Sequence, residues 1–202
     1  MKTELLLLAA GQSKRFEGIK QLTNIHGQAM ICHCLSQYYQ GNKWIDGIDN
    51  GHIALGSNAT LIIDVLPLSI NKYVINSWEN GMGHTLAKSI QFLASDTTHV
   101  LIALADQVLI TQQMIMDMLS QSKNYPQNII AAKYAGKVGA PSIFPREYFA
   151  ELSQLTGDRG AKAILGKYSQ QVIAIEMPEA ALDIDTQEDL IGITIKDSKI
   201  KH

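Results

Sequence analysis

Two small groups of ionisable residues carry the chemistry this chain can offer. Arg15 and Lys20 follow Gly11, which ends an apolar run that starts at Leu5. Asp106 closes a second apolar run, residues 100–105, and Asp183 and Asp185 stand two apart near the C-terminus. Cations beside a glycine turn, where backbone N–H groups are exposed, suit an anion such as a polyphosphate. A carboxylate at the end of a buried strand suits Mg2+, which takes one or two carboxylates and completes its shell with substrate phosphates. If the segment around Ile184 is extended, Asp183 and Asp185 point the same way while Ile184 faces the core. A metal ion then fits between that pair and Asp106.

Both apolar runs fail to alternate in polarity, so they read as strands buried on two faces. Residues 29–39 read as a helix with Met30, Ile31, Cys34, Leu35 and Tyr38 on one face. Residues 40–51, rich in Gly, Asn and Asp, read as an irregular loop. Residues 52–55 and 72–76 read as short strands, and Ser57 is the expected N-cap of a helix that ends before Pro67. A second glycine turn, with Gly81 and Gly83, precedes a helix whose apolar face is Leu86, Ile90 and Leu93, with Thr85 in the N-cap position. Thr111 is the expected cap of a further helix, with Met114, Ile115, Met118 and Leu119 facing the core. Residues 128–132 and 171–176 read as strands and 134–139 as a loop. Pro145 suits the first turn of a helix faced by Tyr148, Phe149, Leu152 and Leu155. A third glycine turn, at Gly157 and Gly160, opens one more helix. Strands alternating with helices give an α/β class: a Rossmann-like three-layer α/β/α arrangement with a mainly parallel sheet.

Composition sets the outer bounds. The chain has 202 residues, 18% of them charged, with a formal net charge of −2. That predicts a single domain over 1–195 and a polar tail over 196–202, with neither nucleic acid nor a membrane as partner. Glu4 and the charges at Lys14 and Arg15 argue against a secretory signal, so the expected location is cytoplasmic. Cys32 and Cys34 flank His33, but residues two apart on a helix diverge by about 200°, too far to grip one metal ion or to form a disulfide.

Gly11 leads to no P-loop tripeptide, and Ser13 stands where the dinucleotide fingerprint has its second glycine. The loop instead resembles the signature of the MobA-like NTP transferase family, L-A-A-G-x-S-x-R-(Met or Phe)-x-x-x-K. Leu8, Ala9, Ala10, Gly11, Ser13, Arg15, Phe16 and Lys20 match it in order and spacing. Glu17 stands where the family usually has a glycine, with Gly18 next. Gly81, Met82, Gly83 and Thr85 resemble the G-M-G-x-S element of the related cytidylyltransferases. Ala105, Asp106 and Gln107 resemble A-D-Q-P, with Val108 in place of the proline. Gly139, Pro141 and Phe144 resemble G-x-P-x-x-F. Gly157, Asp158, Gly160, Ala161 and Lys162 resemble G-D-x-G-A-(Arg or Lys), and the segment from Asp183 resembles D-I-D-T-x-E-D-L. These motifs follow one another across roughly nine-tenths of the chain. Ala10 fits the molybdenum cofactor cytidylyltransferases of the MocA type, whose guanylyltransferase relatives have L-A-G-G here.

The resemblance implies a nucleotide-diphospho-sugar transferase-like fold. It also implies transfer of CMP from CTP to the phosphate of molybdopterin or molybdenum cofactor, with release of pyrophosphate, a requirement for Mg2+, and a recipient molybdenum enzyme for the product. On the same footing Asp106 and Asp185 are metal ligands, and Arg15, Lys20 and Asp106 are catalytic. Ala9, Ala10, Gly11, Gln12, Ser13, Lys20, Gly81, Gly83 and Thr85 surround the nucleotide. Gly139, Pro141, Asp158 and Gly160 lie on the acceptor side. The attacking phosphate is already anionic, so no general base is required, and His84 receives no role. Two rivals stand beside this reading. One is a transferase of the same fold using another NTP or acceptor, guanylyl or sugar phosphate. The other is a non-catalytic molybdenum-cofactor carrier or accessory protein. Metal-dependent NTP binding separates the last from the others.

Overall fold

β1 (Thr3–Ala9) organises the sheet because both of its faces are apolar. Leu5, Leu7 and Ala9 enter one core cluster and Leu6 and Leu8 enter the other, as the two-residue period of a strand dictates. A computed structural model describes residues 1–12, 15–186 and 188–190. After β1 come a small hairpin of β2 (Asn24–Ile25) and β3 (Gln28–Ala29), α1 (Met30–Leu35), and a second hairpin of β4 (Tyr39–Gln40) and β5 (Lys43–Trp44). The chain continues through β6 (Asn50–Leu55), α2 (Ala59–Ile63), β7 (Asn71–Val74), α3 (Met82–Ile90), β8 (His99–Leu104) and α4 (Gln112–Asn124). It closes with β9 (Ile129–Tyr134), β10 (Lys137–Pro145), α5 (Phe149–Leu152), α6 (Lys162–Lys167) and β11 (Val172–Glu176).

Seven strands form the main sheet in the order β11-β9-β10-β8-β1-β6-β7. β6, β1 and β8 run parallel, as do β6 with β7 and β9 with β11, while β10 is antiparallel to both of its neighbours. The fold is thus the expected α/β/α arrangement on a mostly parallel sheet. Register decides where the chemistry goes. Leu8 pairs with Leu104 and Ala9 pairs with Leu55, so the segments that begin at Ala10, Ala105 and Gly56 leave the sheet side by side. That carboxyl edge is where open α/β sheets bind ligands. No helix among the described residues is long and apolar enough to cross a membrane.

Local differences from the sequence reading have physical causes. α1 stops at Leu35, because the chain turns to begin β4 at Tyr39. The expected loop over 40–51 contains a two-residue hairpin turn, Gly41 and Asn42, at φ of 55° and 62°. Trp44 from that hairpin covers Gly51, where a Cβ would stand 2.5 Å from the ring. Ser57 is not the cap of α2; Asn58, left-handed at φ 57°, takes that place. Thr85 is not a cap either. α3 already starts at Met82, and the buried Thr85 gives its N–H to the Gly81 carbonyl. Thr111 does cap α4, accepting from the Met114 N–H. The expected loop over 134–139 is a tight turn at Ala135 and Gly136, both at positive φ, and the strands continue through the rest. Pro145 ends β10, and one 3-10 turn separates it from α5.

Candidate active site

A cleft of about 680 Å3 opens at the carboxyl edge of β1 and β8. Ala9, Ala10, Gly11 and Gln12 form one wall, Gly81 and Thr85 another, and Arg15, Lys20, Asp106 and Asp185 the polar floor, with Asp158 opposite. Ser13, also expected here, lies outside the described residues, as does the polar tail. Gly83, Gly139, Pro141 and Gly160 do not line the cleft.

The floor is a chain of ion pairs. Lys20 Nζ donates to Asp106 Oδ2 at 2.9 Å and to Asp185 Oδ1 at 3.2 Å. Arg15 donates from Nη2 to the other oxygen of Asp185, Oδ2, at 2.5 Å. The two cations differ in setting. Lys20 is 7% exposed, whereas the Arg15 side chain is 74% exposed. Burial works against the charge on Lys20, but the attraction of Asp106 and Asp185 outweighs it, and its pKa lies above the ordinary lysine value. Asp183 stands beside the same floor. Desolvation and the like charges of Asp106 and Asp185 push its carboxyl up to about 6.

The donor set fits a hard divalent cation that shares its shell with substrate. Asp106 Oδ1 is buried and accepts no hydrogen bond among the described residues, so one oxygen ligand stands ready beside the Asp185 carboxylate. No group of three or more His, Cys, Asp or Glu arranged to hold a metal occurs among the described residues. Two carboxylates with phosphate and water completing the shell is how Mg2+ is usually held, and it is not a closed structural site.

A small apolar cluster fixes this floor. Phe16, Ile25, Met30, Cys34, Val108 and Ile184 pack together, apart from the two main cores. Phe16 follows Arg15, Val108 stands two after Asp106, and Ile184 separates Asp183 from Asp185, so each acidic or cationic segment is pinned by an apolar neighbour. Val108 therefore keeps, by bulk, an anchoring place where the family has proline. The Ile184 N–H donates to the Asp106 carbonyl at 3.2 Å and ties the two acidic segments directly. Asp189 Oδ2 accepts from the backbone N–H groups of Asp185 and Thr186 at 2.9 and 2.8 Å, which sets the turn after Asp185. His33 contacts the Val108 carbonyl through Nε2 at 2.9 Å, so the Cys32-His33-Cys34 triplet serves packing. Both cysteines are free, and burial pushes the Cys34 thiol up.

The glycines of the second turn act differently from expectation. A Cβ on Gly81, at φ 101°, would meet the Asp158 carboxylate and come 2.5 Å from the Gly157 carbonyl. A Cβ on Gly83 would come 2.8 Å from the carbonyl oxygens of Thr156 and Gly157, and the Gly83 N–H donates to that Gly157 carbonyl at 2.7 Å. Both glycines let the start of α3 seat against the loop over 156–158, and Gly81 also lines the cleft. Gly83→Ala is expected to cost about 1–3 kcal/mol, because backbone atoms must move to admit the methyl group. Thermal melts of the variant check this, with wild-type stability as the contrary result.

Gly139 and Pro141 belong to the support rather than to the cleft wall. They sit at the register shift between Gly139 and Ser142 in β10, where Gly139 leaves room for the Tyr134 hydroxyl. Gln107 Nε2 donates to the carbonyls of Ala140 and Ala180 at 3.0 and 2.9 Å and holds that bulge beneath Asp106. Burial, then the charges of Asp183 and Asp106, raise the Tyr134 pKa. Gly160 packs against Met82. His84 contacts Ser77 Oγ through Nε2 at 2.7 Å and does not line the cleft.

Three contributors, Gln21, Trp78 and Glu79, have no counterpart in the sequence motifs. Gln21, buried, donates from Nε2 to the carbonyls of Gly11 at 3.0 Å and Ala9 at 3.3 Å, which ties the glycine loop to the segment carrying Lys20. Its place directly after Lys20 was the available signal. Trp78 and Glu79 line the cleft beside Gly81, next to Met82 of the G-M-G element. Trp78 also packs on Gly56, where a Cβ would stand 2.6 Å from its side chain and 2.5 Å from the Ala10 carbonyl. A tryptophan in an otherwise polar turn was the signal there.

The family model for the MobA-like NTP transferase domain matches residues 5–172. Among curated proteins, the bifunctional protein GlmU of Pseudomonas fluorescens Pf-5 is 28% identical over 123 residues, 60% of this chain and 26% of that protein. The chain thus spans about a quarter of the length of the curated relatives it matches. Among solved structures, Rv0371c from Mycobacterium tuberculosis H37Rv superposes with a TM-score of 0.79 at 23% identity, covering 96% of this chain and 98% of that one. Its complex with manganese gives 0.74 at 22% identity, with 95% and 97% covered. CMP:2-keto-3-deoxy-manno-octonic acid synthetase complexed with CTP gives 0.76 at 12% identity, with 98% and 99% covered. At these identities the structures establish a shared fold.

Proposed function

The chain belongs to the MobA-like NTP transferase family, and from that premise we propose that it transfers CMP from CTP to the phosphate of molybdopterin or molybdenum cofactor and releases pyrophosphate. The observation that carries the reading is the floor of the cleft: Lys20 between Asp106 and Asp185, with Arg15 beside them, at the end of a glycine loop. Cytidine is supported by Ala10 and by the G-M-G and D-I-D-T elements. A CTP complex of a protein with this fold adds to that support. The pterin acceptor rests on the motif resemblance.

The reaction joins an acceptor phosphate oxygen to the α-phosphorus of CTP while the bond to the β-phosphate breaks in line. Such chemistry needs positioning and charge neutralisation more than covalent catalysis. Lys20 and Arg15 would neutralise the triphosphate and the departing pyrophosphate. The exposed backbone of Gly11 and Gln12 faces the cleft and can give N–H groups to phosphate oxygens. Asp106 and Asp185 would hold Mg2+ or Mn2+, which when bound neutralises phosphate charge in the transition state. The intact floor favours an enzyme over a cofactor carrier. A sugar-type acceptor is the second reading, because CMP:2-keto-3-deoxy-manno-octonic acid synthetase shares the fold over almost its whole length.

Pyrophosphate release in the presence of Mg2+ and molybdenum cofactor, with CTP, GTP, ATP and UTP offered separately, tests the assignment. Release with CTP is expected. Release only with another NTP moves the chain to a sister activity, and no release with any of them favours the carrier.

A further inference from the structure

We propose that Lys20 and the divalent metal compete for the same carboxylate oxygens, and that the nucleotide triphosphate resolves the competition by drawing Lys20 away. Metal affinity would then be switched on by the nucleotide. The inference rests on the nucleotidyl-transfer reading and adds an order of events to it.

The geometry sets the two cations against each other. Lys20 Nζ already occupies Asp106 Oδ2 and Asp185 Oδ1, one oxygen from each carboxylate that would hold the metal. Asp106 and Asp185 would hold Mg2+ through carboxylate oxygens at roughly 2.0–2.1 Å, so an ion using the oxygens that Lys20 holds would be repelled by the ammonium. Lys20 is 7% exposed, so water screens that repulsion poorly. The backbones that carry the two carboxylates are held together. Val108 and Ile184 anchor both acidic segments in one apolar cluster, and the Ile184 N–H is bonded to the Asp106 carbonyl. The lysine is the movable partner, because its four-carbon stem can redirect three donors to new acceptors. A triphosphate in the cleft supplies such acceptors with greater negative charge. Lys20 moving onto a phosphate would free Asp106 Oδ2 and Asp185 Oδ1, next to the buried Asp106 Oδ1, which accepts no hydrogen bond among the described residues. Arg15 cannot play this part to the same degree. Its side chain is 74% exposed and, among the described residues, it pairs with one carboxylate, Asp185, and exposed pairs of this kind are weak.

The test is Mn2+ binding to the folded, nucleotide-free protein, followed by the electron paramagnetic resonance of free Mn2+. Lys20→Met should bind Mn2+ at least about tenfold more tightly than wild type. Lys20→Gln, which removes the charge but keeps a polar side chain, should tighten binding in the same direction and carries the test if the methionine variant does not fold. Unchanged or weaker Mn2+ binding in the folded variants overturns the proposal. A second measurement uses the wild type. With side-chain amines labelled by 13C-dimethylation, metal-free CTP should shift the Lys20 resonance, and an unmoved resonance overturns the proposal. Pyrophosphate release by unmodified wild type reports separately on the underlying reading. Turnover without tighter Mn2+ binding in the variants rejects only the exchange, whereas absence of turnover with every NTP rejects nucleotidyl transfer.

Discussion

Asp106→Ala is expected to lower pyrophosphate release by about 10²–10³-fold, the range seen when one preorganised group facing developing charge is removed, and to leave the protein folded. The rate falls because Asp106 contributes both the buried free oxygen and half of the Lys20 site. The fold survives because the side chain is 24% exposed and its main partner, Lys20, keeps Asp185. The backbone bond from Ile184 to the Asp106 carbonyl does not depend on the side chain. Circular dichroism and a thermal melt should therefore track wild type closely while steady-state release is lost. A folded variant with near-normal turnover removes Asp106 from the site, and an unfolded one makes it structural.

Glu4→Ala should do the reverse, with a large effect on stability and none on the cleft. Glu4 is 0% exposed in β1, yet it carries a carboxylate. Oε1 accepts from Thr97 Oγ1 at 2.6 Å, and Oε2 accepts from His52 Nε2 at 2.7 Å and from the Ala94 N–H at 3.4 Å. Removing the acceptor leaves these groups buried without it, at a cost of about 3–5 kcal/mol and a fall in Tm on the order of 10 °C. The pH dependence follows from the same contacts. Burial opposes ionisation, but the hydrogen bonds from Thr97 and His52 and the attraction of His52 outweigh it and hold the carboxyl below its ordinary range. A lowered folded pKa gives stabilisation that is complete above the unfolded carboxyl pKa of about 4.3 and is lost as pH falls through the lower folded value. Melts of wild type and Glu4→Gln between pH 6 and pH 2, a span chosen to bracket both roughly, should converge toward the acid end. A gap between them that stays constant with pH would refute the assignment. Activity of the folded fraction should be unchanged, because Glu4 lies at the end of β1 away from Ala9.

Glu4 also shows why part of the fold was illegible from the sequence. A glutamate before four leucines reads as a flanking charge, and only its partners, 48 and 93 residues away, make burial affordable. The parallel strands were legible because unbroken apolar runs such as 5–9 and 100–105 need two covered faces. β10 was not, since Gly139 and Pro141 break its pattern, and its place between β8 and β9 depends on a bulge held by Gln107. Gly41 and Asn42 did carry a hairpin signal that the surrounding polar residues obscured.

In the cleft, residues whose chemistry is local were readable. Arg15, Lys20, Asp106 and Asp185 come together as their motifs suggested, because Phe16, Val108 and Ile184 were each one or two positions away to anchor them. Residues that act by contact across the fold were not. The glycines at 81 and 83 read as room for a ligand, but their missing side chains make room for the loop over 156–158. Thr85 matched a capping pattern although α3 begins three residues earlier. Gln21 and Trp78 have no motif of their own, and their roles depend on which carbonyls and which glycine they meet.

The most direct measurement follows the α-phosphorus itself. Wild-type protein is incubated with CTP labelled at the α-phosphate, molybdenum cofactor and Mg2+, and the products are separated. Label should appear in a cytosine dinucleotide form of the cofactor, with one pyrophosphate released per transfer and none of either when Mg2+ is chelated. Label that remains in CTP, or that appears only as free CMP, contradicts nucleotidyl transfer to this acceptor.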